Sequence, residues 1–129
     1  AVTFAGLVAN EEVARYSGSA DVFALPSLLE ALPTVAVEAL ASGTPVVSAD
    51  HPGGLELQEI FGDDVTVVPR RDAATLSRAL LERLEATRRT RPATKTALTR
   101  LFRPEAIAAQ YENIYARATG QTAGGPRSR

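Results

Sequence analysis

Short, valine-rich apolar runs alternate with amphipathic segments along most of this chain, and that alternation constrains the fold more than any other feature. Residues 2–5, 21–25, 45–48 and 65–68 predict strands. Glycine or proline ends all of them except the one at 45–48. The strands are apolar on both faces, which is typical of parallel sheets covered by helices on each side. The sequence therefore predicts an α/β fold built on a parallel sheet with flanking helices.

Helix boundary signals accompany the amphipathic segments. Asn10 and Asp72 are predicted N-caps, the first of a helix of about two turns and the second of a helix that runs to about residue 85. A third helix is predicted over residues 33–41, because a proline stands at its start and Ser-Gly follows it. No helix is predicted between the strands at 45–48 and 65–68, where His-Pro-Gly-Gly is interpreted as a turn.

The C-terminal part of the chain is less regular. Residues 87–96 are basic and polar and predict an exposed loop. Residues 104–118 predict an amphipathic helix, with Tyr111 and Tyr115 expected to make core contacts. Residues 119–129 are mostly Gly, Pro, Ser and Arg and predict a disordered tail. We therefore expect one domain over residues 1–118, followed by this tail.

Composition excludes several classes of function. The 129 residues have room for a single domain, and they include no cysteine, so disulfides and cysteine nucleophiles are excluded. The absence of cysteine fits a cytoplasmic protein. A net charge of −1 gives no general attraction for nucleic acid. Prolines and glycines interrupt the apolar stretch over residues 22–49, so no membrane span is predicted there. The start without Met leads us to expect a fragment of a longer protein.

Two carboxylates stand out within that apolar stretch. Residues 22–49 contain only Glu30 and Glu38 as charged residues, whereas the chain average of 22% predicts about six. The segment around Glu38 is apolar nearly all round, so we expect it to be mostly buried, and a buried carboxylate needs a partner or a wet cleft. Glu30 precedes the same helix, after a strand, where ligands bind in parallel sheets. Two interpretations stay open at this point: a shared ligand crevice, or a salt-bridged core Glu38 with a surface Glu30.

Around these glutamates the chain resembles a known family. Leu-Pro-Ser at residues 25–27, Glu30, and, after seven residues, Glu-Ala-Leu-Ala-Ser-Gly-Thr-Pro-Val-Val at residues 38–47 resemble the signature of retaining glycosyltransferases with the two-domain GT-B fold. The resemblance extends from Val2 to about Tyr115 and implies part of a Rossmann-like domain, the donor-binding C-terminal half of a GT-B fold. Ala31 and Pro33 stand where the family often has glycine, and Pro33 has no N–H to donate.

The resemblance implies roles for individual residues. Glu30 would belong to the catalytic centre by contacting the transferred sugar, and Glu38 would bind the ribose hydroxyls of the nucleotide. The backbone around Ala31, Leu32 and Thr34 would approach the sugar and the diphosphate. The segment Gly6-Leu7-Val8 would lie beside the base. The donor would be a nucleotide-diphosphate sugar used as substrate, with no cofactor and no metal.

The resemblance also implies what surrounds this chain. Such enzymes place the active site between two domains, so we expect an acceptor-binding N-terminal domain as partner and no turnover by this chain alone. The intact enzyme could associate peripherally with a membrane, and unpaired strand edges favour self-association of the fragment. A non-catalytic α/β binding domain or truncated remnant is the main alternative; a nucleotide-sugar epimerase or a glycosidase is less favoured.

Three groups of polar residues have weaker functional interpretations. His51 lies on the expected ligand side but is a single histidine, so it predicts a turn residue and no metal site. Arg70 and Arg71 could meet phosphate, but a solvated loop is favoured. The basic patch lacks interleaved aromatic residues and predicts a solvated linker, not a nucleic-acid site; it consists of Arg88, Arg89, Arg91 and Lys95.

Overall fold

The computed structural model describes residues 1–120 and divides into two compact units, residues 1–95 and a unit that begins at Thr96. The first unit holds a small α/β sandwich, and the second holds helix. In chain order the elements are α1 (Asn10–Ser19), β1 (Phe23–Leu25), α2 (Thr34–Ala41), β2 (Val46–Ala49), α3 (Pro52–Phe61), β3 (Val65–Val68), α4 (Ala73–Ala86), α5 (Pro92–Phe102) and α6 (Pro104–Ala118).

The three described strands form one parallel sheet in the order β1-β2-β3. Phe23 pairs with Val46, and Val46 pairs with Val65, so the first residues of the three strands are aligned across the sheet. All four residues of β2 are buried, as expected for a central strand covered on both faces. The predicted α/β fold with a parallel sheet and flanking helices is confirmed.

The core of the first unit is built mainly where α2 and α3 meet the sheet. Leu40, Leu57 and Phe61 are among its largest fully buried side chains, together with the valines of β2. Leu57 and Phe61 are one helical turn apart, so α3 presents both to the same side. Burial of each such side chain contributes roughly 1.5–3 kcal/mol relative to exposure.

Residues 2–5, predicted as the first strand, form no strand. Val2 and Phe4 are 82% and 94% exposed. A strand requires a neighbour that completes its hydrogen-bond ladder, and β1 pairs only with β2 among the strands that the structure describes. The apolar run at residues 2–5 therefore has the composition of a buried strand but pairs with no neighbouring strand. The prediction of a strand is wrong for this reason.

The segment predicted as an exposed loop, residues 87–96, is instead tied to the rest of the first unit. The Arg89 guanidinium donates to the backbone oxygens of Gly18, Ala20 and Ser42 at 3.0, 2.7 and 2.9 Å. Helix α5 begins at Pro92, and Thr94 in its first turn is buried. Residues 87–91 lie outside the helices, and residues 87–89 are exposed as predicted, whereas residues 92–96 are helical, so the loop prediction is wrong only for that part. The sequence shows the positive charges but not the carbonyls that they bind.

Asp64, the residue before β3, anchors the same segment. Its carboxylate is 1% exposed and accepts from the Arg91 backbone N–H at 2.8 Å and from the Thr94 hydroxyl. Burial alone would raise the pKa of Asp64, but these hydrogen bonds and the nearby Arg91 charge outweigh burial and hold the pKa below its ordinary value of 3.8. Asp64 is therefore an ionised, hydrogen-bonded tie between β3 and α5.

Helix α6 of the second unit has the predicted bounds but not the predicted burial. Tyr111 and Tyr115 are 56% and 65% exposed, and their ring centroids are 6.3 Å apart. The expectation of core contacts is wrong. Helical spacing places the two tyrosines on one face of α6, but no residue of this helix is buried. Of the predicted tail, Thr119 and Gly120 end this helix and the remaining residues lie outside the described part.

Across residues 1–120, no helix has both the length and the apolar character needed to cross a bilayer.

Candidate functional site

The candidate site begins at the carboxyl end of β1. Residues 26–33, hereafter the 26–33 loop, connect that strand to α2 and carry Glu30. In open parallel sheets the loops after the strands form the ligand-binding edge. The structure therefore places Glu30 where the sheet topology favours a ligand.

The first turn of α2 has free hydrogen-bonding capacity. Pro33 is the N-cap residue, makes no side-chain cap and is not the first helical residue. Thr34 and Val35, both exposed, contribute the first helical amides, which have no carbonyl one turn earlier to bind. No acidic residue occupies this turn. These amides can donate hydrogen bonds to an anion such as a diphosphate, and the positive end of the helix dipole favours its charge.

Glu38 lies one turn into α2, and its side chain is exposed. The expectation that this helix is mostly buried is wrong, because only the face with Ala36, Ala39 and Leu40 packs inward. The apolar composition did not reveal that the opposite face stays open. Among the described residues Glu38 forms no ion pair, which contradicts the alternative of a salt-bridged core residue.

Glu38 lines a groove between α1 and α2 with a volume of about 140 Å³. The α1 residues of this groove are spaced three or four apart and form one helix face. The lining is Asn10, Val13, Ala14 and Ser17 from α1, with Glu38 and Ser42 from α2. A carboxylate in an open, polar-edged groove can accept hydrogen bonds from hydroxyl groups of a ligand.

Glu30 is half-buried and is not among the residues that line this groove. Its backbone carbonyl accepts from the Gly53 N–H at 3.0 Å, so the loop is fixed to α3 at this point. The two glutamates flank the start of α2, and a crevice shared by both stays a prediction. Ala31 and Leu32 follow Glu30 and are exposed.

The remaining predicted site residues precede α1. Gly6 and Leu7 are exposed and Val8 is half-buried. Gly6 has a φ of +69°, a conformation that favours glycine. The N-cap of α1 is Ala9, not Asn10, because the helix begins one residue earlier than the capping preference indicated. A role of these residues beside a base stays a prediction.

The sequence interpretation missed the element that supports the loop. The sequence predicts no helix between β2 and β3, but residues 52–61 form α3, with His51 as N-cap and Pro52 at its first turn. His51 is fully buried, so its interpretation as a turn residue is wrong. The signal that could have found this helix is the proline, which favours the first helical position. The paired glycines hid it, since glycine ordinarily weakens a helix.

A second support comes from the carboxyl ends of β2 and β3. Asp50 accepts from the backbone N–H and from Nε of Arg70, both at 2.9 Å, and the same guanidinium reaches the Leu28 carbonyl at 3.4 Å. The Arg70 backbone hydrogen bond is the main cause that lowers the pKa of Asp50. Arg70 therefore contacts the 26–33 loop while it stays exposed outside the helices and strands, in keeping with its interpretation as a solvated loop residue.

A second cavity of about 220 Å³ opens at the carboxyl ends of all three strands. It is mostly apolar and lies beside the 26–33 loop. Its lining consists of Pro26, Leu28, Ala49, Val68, Pro69, Arg71, Asp72, Ala73 and Leu76. Asp72 is occupied as the predicted N-cap of α4, accepting from the Thr75 N–H at 2.9 Å. In the described part of the chain, no three acidic or histidine side chains come together as metal ligands.

Known proteins resemble this chain in sequence and in fold. Sucrose-phosphate synthase from Thermosynechococcus elongatus has a similar structure, with a TM-score of 0.77 and 35% identity over 92% of this chain and 30% of that one. The MMP alpha-(1->4)-mannosyltransferase of Mycolicibacterium hassiacum is 35% identical over 94% of this chain. The D-inositol 3-phosphate glycosyltransferase of Corynebacterium aurimucosum is 40% identical over 84% of it.

This chain spans only part of those relatives, 30% of the mannosyltransferase and 26% of the D-inositol 3-phosphate enzyme. The family model for glycosyl transferases group 1 matches residues 1–86, which include α1, the 26–33 loop, α2 and α3. That match covers both glutamates and the elements that hold them. The chain therefore belongs to the group 1 glycosyltransferases, and its sheet and helices are part of their GT-B-type fold.

Proposed function

We propose that this chain is the donor-binding part of a retaining glycosyltransferase that transfers a hexosyl group from a nucleotide-diphosphate sugar to a glycan, lipid or other acceptor. The observation that carries the proposal is the exposed Glu38 carboxylate in the α1–α2 groove, one turn from the uncapped amides of α2. A hydroxyl-binding acid and an anion-binding helix end within one turn match the two polar parts of a nucleoside diphosphate.

In this proposal each part of the site has a defined task. Glu38 accepts from the ribose hydroxyls, and Glu30 contacts the transferred sugar. The backbone of Ala31, Leu32 and Thr34 faces the sugar and the diphosphate. The amides at the start of α2 stabilise negative charge that develops on the leaving diphosphate. The glutamates position the donor and are not a nucleophile and acid pair.

The base would lie beside Gly6-Leu7-Val8, next to the start of α1. These residues are largely exposed, so their backbone is accessible to a ligand. No metal is required in this scheme, because helix amides and basic groups of the intact enzyme would hold the diphosphate. A mannosyltransferase among the relatives supports a hexosyl donor.

Catalysis needs parts that this chain does not include. The chain spans 30% of the mannosyltransferase, so we propose that an acceptor-binding domain faces the carboxyl ends of the strands in the intact protein. The 129-residue chain alone should bind the donor weakly and transfer no sugar. Its lack of cysteine is in keeping with a cytoplasmic enzyme.

The test is a titration of the 129-residue chain with UDP, GDP and their glucose and mannose derivatives, followed by amide NMR and calorimetry. We expect Glu38→Gln to weaken binding about ten-fold, since a hydrogen bond to a charged group contributes about 1.5–3 kcal/mol. Glu85→Gln, an exposed acid on α4, is the matched control and should bind like the unmodified chain.

Two results would contradict the proposal. One is equal affinity for the unmodified chain and Glu38→Gln. The other is a folded chain that binds none of these nucleotides, which would favour a non-catalytic α/β domain.

A further inference from the structure

A buried unit beneath the 26–33 loop consists of His51 and its neighbours Ser48, Gly53 and Gly54. The His51 side chain is 0% exposed and lies at the junction between β2 and α3. Its Nδ1 accepts from the Gly54 backbone N–H at 2.9 Å, and its Nε2 is 3.2 Å from the Ser48 hydroxyl. Both ring nitrogens are therefore engaged within the protein.

The hydrogen bonds assign one tautomer to the ring. Because Nδ1 accepts a hydrogen bond from the Gly54 N–H, it carries no hydrogen of its own, and the neutral ring has its hydrogen on Nε2. Nε2–H then donates to the Ser48 oxygen, and the Ser48 hydroxyl donates to the Ala49 carbonyl at 3.2 Å. The chain of donors is complete only with a neutral His51.

The first turn of α3 supplies the link to the loop. The Gly53 amide, next to the capped Gly54, does not bind a cap but donates to the Glu30 carbonyl at 3.0 Å. A Cβ added at Gly53 would lie 2.3 Å from the Ala31 oxygen and 2.7 Å from Cδ of Pro33. The loop backbone therefore rests directly on α3, with no room for a side chain between them.

We propose that His51 is a positioning residue for the 26–33 loop. Its neutral ring fixes the Gly54 amide, the cap holds the first helical turn, and this turn aims the Gly53 N–H at Glu30. The role rests on the proposed function, in which Glu30 and Ala31 contact the donor. His51 itself touches no substrate and acts through Gly53.

Two substitutions separate this role from general packing. His51→Asn keeps an acceptor near the position of Nδ1, and asparagine is a good N-cap, so the Gly54 bond should survive. His51→Ala removes the acceptor and leaves the first turn uncapped. Thr94→Val is the control for lost stability, since it removes a buried hydrogen bond to Asp64, which precedes β3 at the opposite edge of the sheet.

The experiment uses ¹⁵N-labelled 129-residue chains. His51 is the only histidine, so its two ring nitrogens give an unambiguous signature of the tautomer. In His51→Ala, the Gly53 and Gly54 amides should exchange about five-fold faster than in the unmodified chain. That factor corresponds to the ~1 kcal/mol of a helix N-cap. The amide signals of Ala31 and Leu32 should shift in His51→Ala and be restored in His51→Asn, while Thr94→Val leaves them in place.

Several outcomes would overturn the proposal. A ring with the proton on Nδ1 could not accept from the Gly54 N–H, which would remove the cap on which the proposal depends. Loop signals that stay fixed in His51→Ala while Gly54 loses protection would reduce His51 to a cap without influence on the loop. Loop shifts in Thr94→Val as large as those in His51→Ala would assign them to lost stability. A GDP or UDP titration is read separately: no binding by the unmodified chain contradicts the proposed function, whereas the amide results decide the positioning.

Discussion

Replacing Gly53 by alanine tests how tightly α3 is fitted against the 26–33 loop. Gly53 lies in the first turn of α3, and a Cβ there would approach the Ala31 oxygen to 2.3 Å and Cδ of Pro33 to 2.7 Å. Both neighbours are backbone or ring atoms, which cannot rotate away. Gly18 in α1 provides a matched control, because a Cβ there meets only Cβ of Ser42, at 4.0 Å.

The two substitutions should have opposite signs. In an unobstructed helix, replacing glycine by alanine stabilises by about 0.5–1 kcal/mol, and this is the effect expected for Gly18→Ala. At Gly53 the same gain is opposed by forced movement of the loop, and overpacking of this kind costs about 1–3 kcal/mol. Because the contact is more than 0.5 Å inside the shortest distances that real Cβ atoms show, we expect a net loss of about 2 kcal/mol.

Urea unfolding at 25 °C, followed by far-UV circular dichroism, measures both values. With a slope of about 2 kcal/mol per molar urea, Gly53→Ala should lower the midpoint by about 1 M, whereas Gly18→Ala should raise it slightly. The Ala31 amide signal should also move in Gly53→Ala. A Gly53→Ala chain as stable as the original would refute the close fit, and with it the support that we assign to α3.

Three further predictions concern the rest of the first unit. Asp64→Asn should lower the free energy of unfolding by about 2 kcal/mol at neutral pH. Because the pKa of Asp64 is lowered in the folded protein, its contribution to stability is present above pH 3.8 and is lost as the pH falls through the folded pKa. The urea midpoint of the variant should therefore change less with acid pH than that of the unmodified chain. Arg89→Ala should lose about 1–2 kcal/mol by urea unfolding, whereas exposed Arg15→Ala should change stability by about 0.5 kcal/mol or less. Leu57→Ala should lose about 2–5 kcal/mol in thermal or urea melts, whereas Leu55→Ala on the exposed side of α3 should be nearly neutral; equal losses would contradict the observed burial.

Local signals in the sequence predicted the sheet well. The apolar runs at 45–48 and 65–68 match β2 and β3 within one residue, and Asp72 caps α4 as its side chain indicated. These elements follow from short-range chemistry and from burial on both faces. The run at 2–5 has the same chemistry but no strand beside it, and pairing depends on a neighbour that composition does not show.

The site was predicted only in part. Glu30 was correctly placed in the loop after a strand, because sheet topology fixes that edge. Glu38 was expected inside the protein but lies on an open face, since the apolar composition of α2 does not state which face finds a partner. Gly53 was missed as a support because its neighbours, Glu30 and Ala31, are about 20 residues away in the chain, and long-range contacts leave no periodic signal. His51 was missed because its role depends on Gly53, although its own partners, Ser48 and Gly54, are local.

The hydrogen bonds of Arg89 have a consequence for the order in which the chain folds. They close contacts across 47, 69 and 71 residues, joining the ends of α1 and α2 to a segment that leaves the ribosome much later. Contacts of such separation form slowly, because a large chain loop has to close first. The two helices that border the candidate groove therefore remain unclamped during synthesis until residue 89 has emerged, and this interval is when their apolar faces are most open to wrong partners.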